Sequence, residues 1–498
     1  MTVSGLALLW NRVPWLRHRQ DVTLDLILPQ PRVAEHPATT VPSPTASAHA
    51  PASWHPALYL VIAYIFITYT RLPEILLIVT GHGLRLGLIS AILAVLVVLL
   101  SGGLFRIFSS KIVLALLSFT AWLFLSTPFS VWRHGSFDTV VFWSVSLISL
   151  ILLAGCIDGL EQCRKAMYAM AVSVLVIETL SFVLGVSSAT RDVGRFSLVS
   201  GTFGNPNDFA TLLLLGLPFC LLVVRTRSGL SVLRVACFLV LVLVPITVVR
   251  TGSRGGLLAL LVIFLLYFFS VPPLQKVPLA VGALLLAVTS VLVSSSDALE
   301  RYKTLFLSGD TAYLANSAEE SAALSTRVRK EMFEHSVLLT LQHPILGVGP
   351  GMFTVADAKD AEQKKQPAAW RQSHNTFTEI SSEAGFPALF FYLAALFFCF
   401  QTARSARKYA VQFPELRALG DMAFCLRLSV LAFAITAIFA SNAYYFYFPL
   451  VAGLCAAFER SVNSAMQARA LRQAGSVAGQ PVDRLAPARR RLPEPRAI

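Results

Sequence analysis

Charge is scarce along this chain, and paired cysteines, nucleotide loops and acids inside apolar runs are scarcer still. Only 14% of its 498 residues are Asp, Glu, Lys or Arg, against 55% hydrophobic, at a mean hydropathy of +0.67. No water-soluble core accounts for that balance; it is the composition of a polytopic membrane protein. The seven cysteines, at 156, 163, 220, 237, 399, 425 and 455, sit mostly inside apolar runs without paired spacing. They read as small packing residues and not as a disulfide framework. Asp-x-Asp, His-Glu-x-x-His, Gly-x-Ser-x-Gly and phosphate-loop patterns are all missing, so no metal or other cofactor is implied.

What is abundant is apolar sequence in membrane-length windows. Runs of roughly 16 to 22 residues recur near 57–80, 84–101, 112–127, 137–155, 166–185, 208–224, 235–249, 255–270, 278–294, 386–401, 422–440 and 444–459. These predict an all-α fold of about twelve transmembrane helices. The formal charge of +14 does not mark a nucleic-acid binder, because the cations are spread over loops and the Arg-rich C-terminal segment instead of one soluble face. Arg106, Lys111, Arg164, Lys165, Arg225, Arg227, Arg234, Arg404, Arg407, Lys408 and Arg417 fall on one side of a twelve-span count, together with both termini. The positive-inside rule makes that side cytoplasmic.

Four regions follow. Residues 1–55, rich in Pro, Ala, Ser and Thr, read as a disordered cytoplasmic tail, since GLALLW is too short for a signal-peptide core and Arg12 follows it. Residues 56–185 hold the first spans, and 186–460 carry the chemistry-bearing segments, including a long outer loop at 295–383. A basic cytoplasmic tail occupies 461–498. Well inside the spans only Glu178 is acidic, most simply a buried hydrogen-bonding residue.

Three polar segments fall on the outer side. The first, RDVGRFSLVSGTFGNPNDFATLLL at 191–214, ends in a Pro turn before a new span, where Asn207 or Asp208 is placed to cap a helix N-terminus. That positive helix end would lie near Arg191 and Arg195. The second, RTGSRGG at 250–256, interrupts apolar sequence with Arg250 and Arg254. Arginine at membrane depth is costly and is usually retained for a task; its planar fork of donors suits phosphate oxygens. Thr251 and Ser253 can bond backbone, and Gly255 and Gly256 allow close helix approach.

The third is the long loop. It contains a loosely amphipathic stretch at 317–344, then the ILGVGPGMF turn, then RQSHNTFTEISSEAGFPALFFYL at 371–393, with His374 about ten residues ahead of the expected span at 386–401. Arginines able to grip a diphosphate, a helix N-terminus, and a histidine able to take a proton would meet at one membrane face. Glu379 and Glu383 are alternative bases.

In these segments the chain resembles the O-antigen ligase superfamily. GTFGNPNDFA, TGSRGGLLAL, HPILGVGPGMF and HNTFTEISSEAGFPALF look like that family's hallmarks in its order, across roughly residues 190–400. The family's histidine motif ends in Gly-x-x-Gly; here Gly385 is present and Ala388 takes the place of the second glycine. The resemblance implies a glycosyltransferase of the bacterial inner membrane. It would move a glycan from undecaprenyl diphosphate to an acceptor hydroxyl, such as lipid A-core, at the periplasmic face. It further implies His374 as general base and Arg254 and Arg195 on the departing diphosphate. Arg250, Arg191, Asn205, Asn207, Ser253 and Asn375 would then line the substrate site. A polymerase of the same superfamily would use the same donor with a second lipid-linked glycan as acceptor. A polysaccharide or lipid transporter is the alternative of another class, favouring charged or broken mid-membrane helices and an internal repeat.

Overall fold

The computed structural model describes residues 56–82, 86–100, 102–187, 195–198, 204–294, 299, 302, 317–365, 370–412 and 417–478. The expected N-terminal tail, Arg191 and most of the first third of the long loop lie outside these residues. So does the end of the chain beyond 478.

Helices account for nearly all of what is described. They are α1 (Pro56–Thr70), α2 (Leu72–Thr80), α3 (Leu86–Leu100), α4 (Gly103–Ile107), α5 (Lys111–Ser126), α6 (Arg133–Ser146), α7 (Ile148–Cys156), α8 (Leu160–Leu184) and α9 (Pro206–Thr226). There follow α10 (Val232–Arg250), α11 (Arg254–Ser270), α12 (Pro273–Val293), α13 (Ser317–Gln342), α14 (Phe353–Gln363), α15 (Thr376–Gln412), α16 (Arg417–Ala437) and α17 (Tyr447–Ala478). Eight helical segments are long and apolar enough to cross a membrane, and three shorter apolar helices accompany them. The protein is thus an all-α polytopic membrane protein. The one sheet among the described residues is a short antiparallel pair, β1 (Gly185–Ser187) with β2 (Phe196–Leu198), Gly185 opposite Leu198.

Helix α9 is the hub. It packs against α8, α10 and α16, and 83% of its apolar stretch is buried, against 6% for α12 at the periphery. A helix apolar all round is buried in protein or in lipid, so α9 belongs to the core while α12 turns its faces outward. The cysteines all lie buried as free thiols, as packing residues should. Glu178 is buried as well and accepts a hydrogen bond from the Thr247 hydroxyl at 2.6 Å, tying α8 to α10.

Three expectations change. The first concerns the cap of α9: Asn205, not Asn207 or Asp208, holds that position, its side chain accepting from the Asn207 amide at 2.9 Å. Pro206 at the first helical position sets this register, because its missing N–H costs nothing there. The second concerns the span expected at 386–401. It belongs to a helix that begins at Thr376, so His374 lies two residues before a helix instead of ten residues outside one. Hydropathy misses the polar opening turns, which Asn375 caps by accepting from the amides of Phe377 and Thr378 at 2.9 and 3.1 Å. At Gly385 the helix breaks with φ 79°, and Phe386 donates its amide to the Pro344 carbonyl.

The last helix also continues beyond Arg460, where the basic tail was expected to start, as far as Ala478. Arg460 itself binds the carbonyls of Ala154 and Ile157 and pairs with Asp158, which also pairs with Arg106. These residues lie at the end of the bundle opposite the loops described next.

Candidate active site

Described residues of five connecting regions converge at the loop-rich end: 127–135, 195–198 with 204–208, 251–254, 344–365 with 370–375, and 438–446. Hydrogen bonds fix them to one another. The Val131 amide donates to the Val348 carbonyl at 2.9 Å. Thr376 donates its hydroxyl to the Ala440 carbonyl and accepts from the Asn442 amide, at 2.7 and 3.0 Å. The His374 amide donates to the Ser441 hydroxyl at 2.9 Å.

The turn at 344–353 is clasped by a carboxylate. Glu383, buried in α15, accepts the amides of Gly351 and Phe353 at 2.8 and 3.0 Å, together with the Tyr444 hydroxyl at 2.7 Å. Three donors satisfy that carboxylate, so it anchors the turn and is engaged in the fold. The turn's backbone also pairs with α15 where the helix breaks: the amides of Val348 and Gly349 donate to the carbonyls of Ser382 and Glu383. A methyl on Gly385 would lie 2.0 Å from the Ile345 carbonyl oxygen, and the indole of Trp122 donates to the Ala384 carbonyl at 2.9 Å. Only glycine fits that position. Ala388, by contrast, packs fully buried in the core.

The arginines meet around the start of α9. Arg195 is 4% exposed; its Nε donates to the Thr251 carbonyl at 2.8 Å and a terminal nitrogen to Asn207 Oδ1 at 2.9 Å. A buried guanidinium demands such partners, and here they join the second polar segment to the first. Arg254 opens α11, whose cap Ser253 accepts the Gly256 amide at 3.2 Å. Gly255 lets that turn touch Phe439, since a methyl there would stand 2.7 Å from its Cβ. Arg254 and Arg195 feel each other's charge. Two like charges held together at the edge of the bundle repel, and an anion between them would remove the repulsion. Arg250 stacks over the Phe196 ring at 4.1 Å, a cation–π contact that turns it toward β2.

A cavity of about 220 Å³ opens beside these residues, lined by Asn205, Asn207, Asp208 and His374 among others. The capped N-terminus of a 21-residue helix and the histidine therefore face the same space. His374 takes a left-handed backbone conformation, φ 55°, which turns the chain into the α15 cap. Burial, with the charges of Arg329 and Arg371, pushes its imidazole down from 6.5 to about 4. It is accordingly neutral near pH 7 and able to accept a proton.

Of the residues nominated from sequence, the structure brings Asn205, Asn207 and His374 to one cavity. It couples Arg195 to that rim through Asn207, sets Arg254 in the field of Arg195, and gives Ser253 and Asn375 capping roles. Sequence reasoning missed Arg329 on α13, whose charge reaches His374, and the 438–446 segment, whose Ser441 and Tyr445 line the cavity. Arg329 sits in an amphipathic stretch like any surface cation. Ser-Asn between two expected spans is the only local trace of the second. Among the described residues no group of three or more His, Cys, Asp and Glu could hold a metal ion.

Residues 237–393 match the family model described as O-antigen ligase. No curated protein matches the chain.

Proposed function

We propose, from the match of residues 237–393 to the O-antigen ligase family model, that the chain is a member of that superfamily and transfers a glycan from undecaprenyl diphosphate to an acceptor hydroxyl at the periplasmic face of a bacterial inner membrane. The observation that carries the reading is the shared cavity of His374 and the α9 N-terminus, with Arg195 bound to its lining residue Asn207. In this reading twelve spans keep both termini cytoplasmic and the long loop outside. Arg195, Arg254 and the helix end hold the diphosphate, while Arg250 supports the site through Phe196.

The step is a single displacement. The acceptor oxygen attacks the anomeric carbon, the bond from that carbon to the diphosphate oxygen breaks with inversion, and His374 takes the hydroxyl proton. The departing group is an anion already lodged between cations, so its developing charge meets fixed donors without reorganisation. The same diphosphate offsets the fields of Arg329 and Arg371, making His374 a stronger base once the donor is bound.

Reconstitution in nanodiscs tests this. With undecaprenyl-diphosphate glycan and lipid A-core, wild type should yield core-linked glycan; a polymerase would instead lengthen the lipid-linked chain. Absence of both products from folded, donor-loaded protein would refute the reading.

A further inference from the structure

A second, larger cavity adjoins the first. It measures about 350 Å³ and shares Gln372, Ser441 and Tyr445 with its neighbour, while Ser373, next to the histidine, lines it as well. Its chemistry is different. Asp138, Glu379 and Glu383 contribute carboxylates, where the smaller cavity has only Asp208; among the described residues neither cavity is lined by lysine or arginine, but the smaller one is backed by Arg195, which binds its lining residue Asn207. Glu383 is already committed to the Gly351 turn, but Glu379 gives one oxygen to the Ala443 amide at 3.2 Å, and among the described residues no hydrogen bond reaches the other. The rings of Phe142 and Tyr445 meet edge to face at 5.7 Å on its wall.

We propose that this cavity is the acceptor-sugar subsite and that it selects an uncharged, hydroxyl-rich sugar unit. The assignment rests on the glycan-transfer reading above. Carboxylates accept strong hydrogen bonds from sugar hydroxyls, hydroxyls such as Thr139 and Thr354 add two-way partners, and the aromatic pair offers apolar surface to ring C–H groups. The same lining offers a diphosphate no cation among the described residues, whereas the helix end, with Arg195 behind Asn207, attracts it next door. Asp208 does line the smaller cavity, but it lies in the field of Arg195. Charge thus sorts two substrates into adjoining spaces, and an acceptor entering from the acidic side brings its hydroxyl toward His374. Discrimination of this kind comes from what a site rejects as much as from what it attracts.

Direct binding separates this from the parent reading. The probes are a neutral hexose trisaccharide, the same trisaccharide bearing one phosphate, and undecaprenyl diphosphate, each titrated against the full-length protein in nanodiscs. Wild type should bind the neutral sugar roughly tenfold or more tightly than its phosphorylated form, a gap equivalent to about 1.4 kcal/mol. Thr354→Trp, which fills the cavity, should abolish sugar binding and leave undecaprenyl diphosphate binding intact. Glu379→Gln should narrow the gap between the two sugars. Asp138→Ala should weaken the neutral sugar modestly, and because Asp138's side chain is 65% exposed that variant keeps the fold even where the tryptophan variant does not.

Equal binding of both sugars, no sugar binding, or unchanged binding in Thr354→Trp and Asp138→Ala would overturn the subsite. Wild type that binds sugar in this pattern but transfers no glycan would sink the parent reading alone. Transfer with an acceptor KM unmoved by Thr354→Trp would sink the subsite alone.

Discussion

At the residue scale the site separates charge that binds from charge that is kept away. Arg195 is buried and fully oriented, so Arg195→Ala removes a clamp on both Asn207 and the Thr251 carbonyl, whereas Arg254→Lys keeps a charge but loses the planar fork. Both variants should lose most turnover in the nanodisc assay, with Arg254→Lys recovering only part of what Arg254→Ala loses. Wild-type rates in folded Arg195→Ala and Arg254→Ala would remove the diphosphate clamp. His374 makes a prediction about pH. Its pKa of about 4 belongs to the donor-free protein, so kcat/KM should fall only as pH drops toward 4, while kcat, read with donor bound, should begin to fall at higher pH. Arg329→Gln should shift the kcat/KM limb upward by relieving one opposing charge. Because the folded pKa lies below the usual 6.5, the unfolded chain binds more protons between those values, and His374 costs stability as pH falls through that window. An acid limb near 6.5 that ignores Arg329→Gln would exclude His374 as the base, and His374→Ala should cost roughly 10² to 10⁴ in turnover with donor binding kept.

At the element scale the break in α15 decides where these residues point. Glu383 holds the Gly351 turn, Gly385 lets that turn approach, and Asn375 starts the helix so that His374 faces the cavity. Glu383→Gln leaves one acceptor oxygen for two amides, and a buried unsatisfied donor costs about 1–3 kcal/mol. Thermal unfolding in detergent should show that loss, with faster hydrogen exchange at the Gly351 or Phe353 amide. Gly385→Ala should be at least as damaging, whereas Ala388→Gly should be mild, since alanine's methyl packs in the core without a left-handed backbone to satisfy. A Gly385→Ala protein as stable as wild type would mean the turn does not need that approach. The motifs around these elements were legible because glycine, proline and arginine interrupt apolar sequence conspicuously. The kinked helix was not, because a hydropathy window averages TFTEISSE into loop. Glu383 was legible only as a possible base, since a carboxylate's partners 30 and 61 residues away in the chain leave no local pattern. The 438–446 segment disappeared between two apolar runs for the same reason.

At the scale of the whole molecule, alternate loops gather at opposite ends. The segments containing Ser130, Arg195, Thr251, Gly351, His374 and Ser441 share one end, and Arg106, Asp158 and Arg460 share the other. Sequence alone sorts these loops into two sets by counting spans, and the hydrogen bonds join members within each set. The proposed orientation, with the second end cytoplasmic, rests on the excess of arginine and lysine in the second set, including Arg404, Arg407 and Lys408 beyond the apolar part of α15. The free cysteines make this directly measurable, because all seven are buried and should give little background to an impermeant thiol reagent. Lys364→Cys, in the long loop, and Arg407→Cys, past the far end of α15, both replace exposed side chains. In intact cells the reagent should label Lys364→Cys at once and Arg407→Cys only after the membrane is permeabilised. The reverse pattern would invert the molecule and place the cavities in the cytoplasm, where a periplasmic acceptor could not reach them. Labelling of both positions in intact cells would put an odd number of crossings out of the question between them, and α15 could not then span the bilayer.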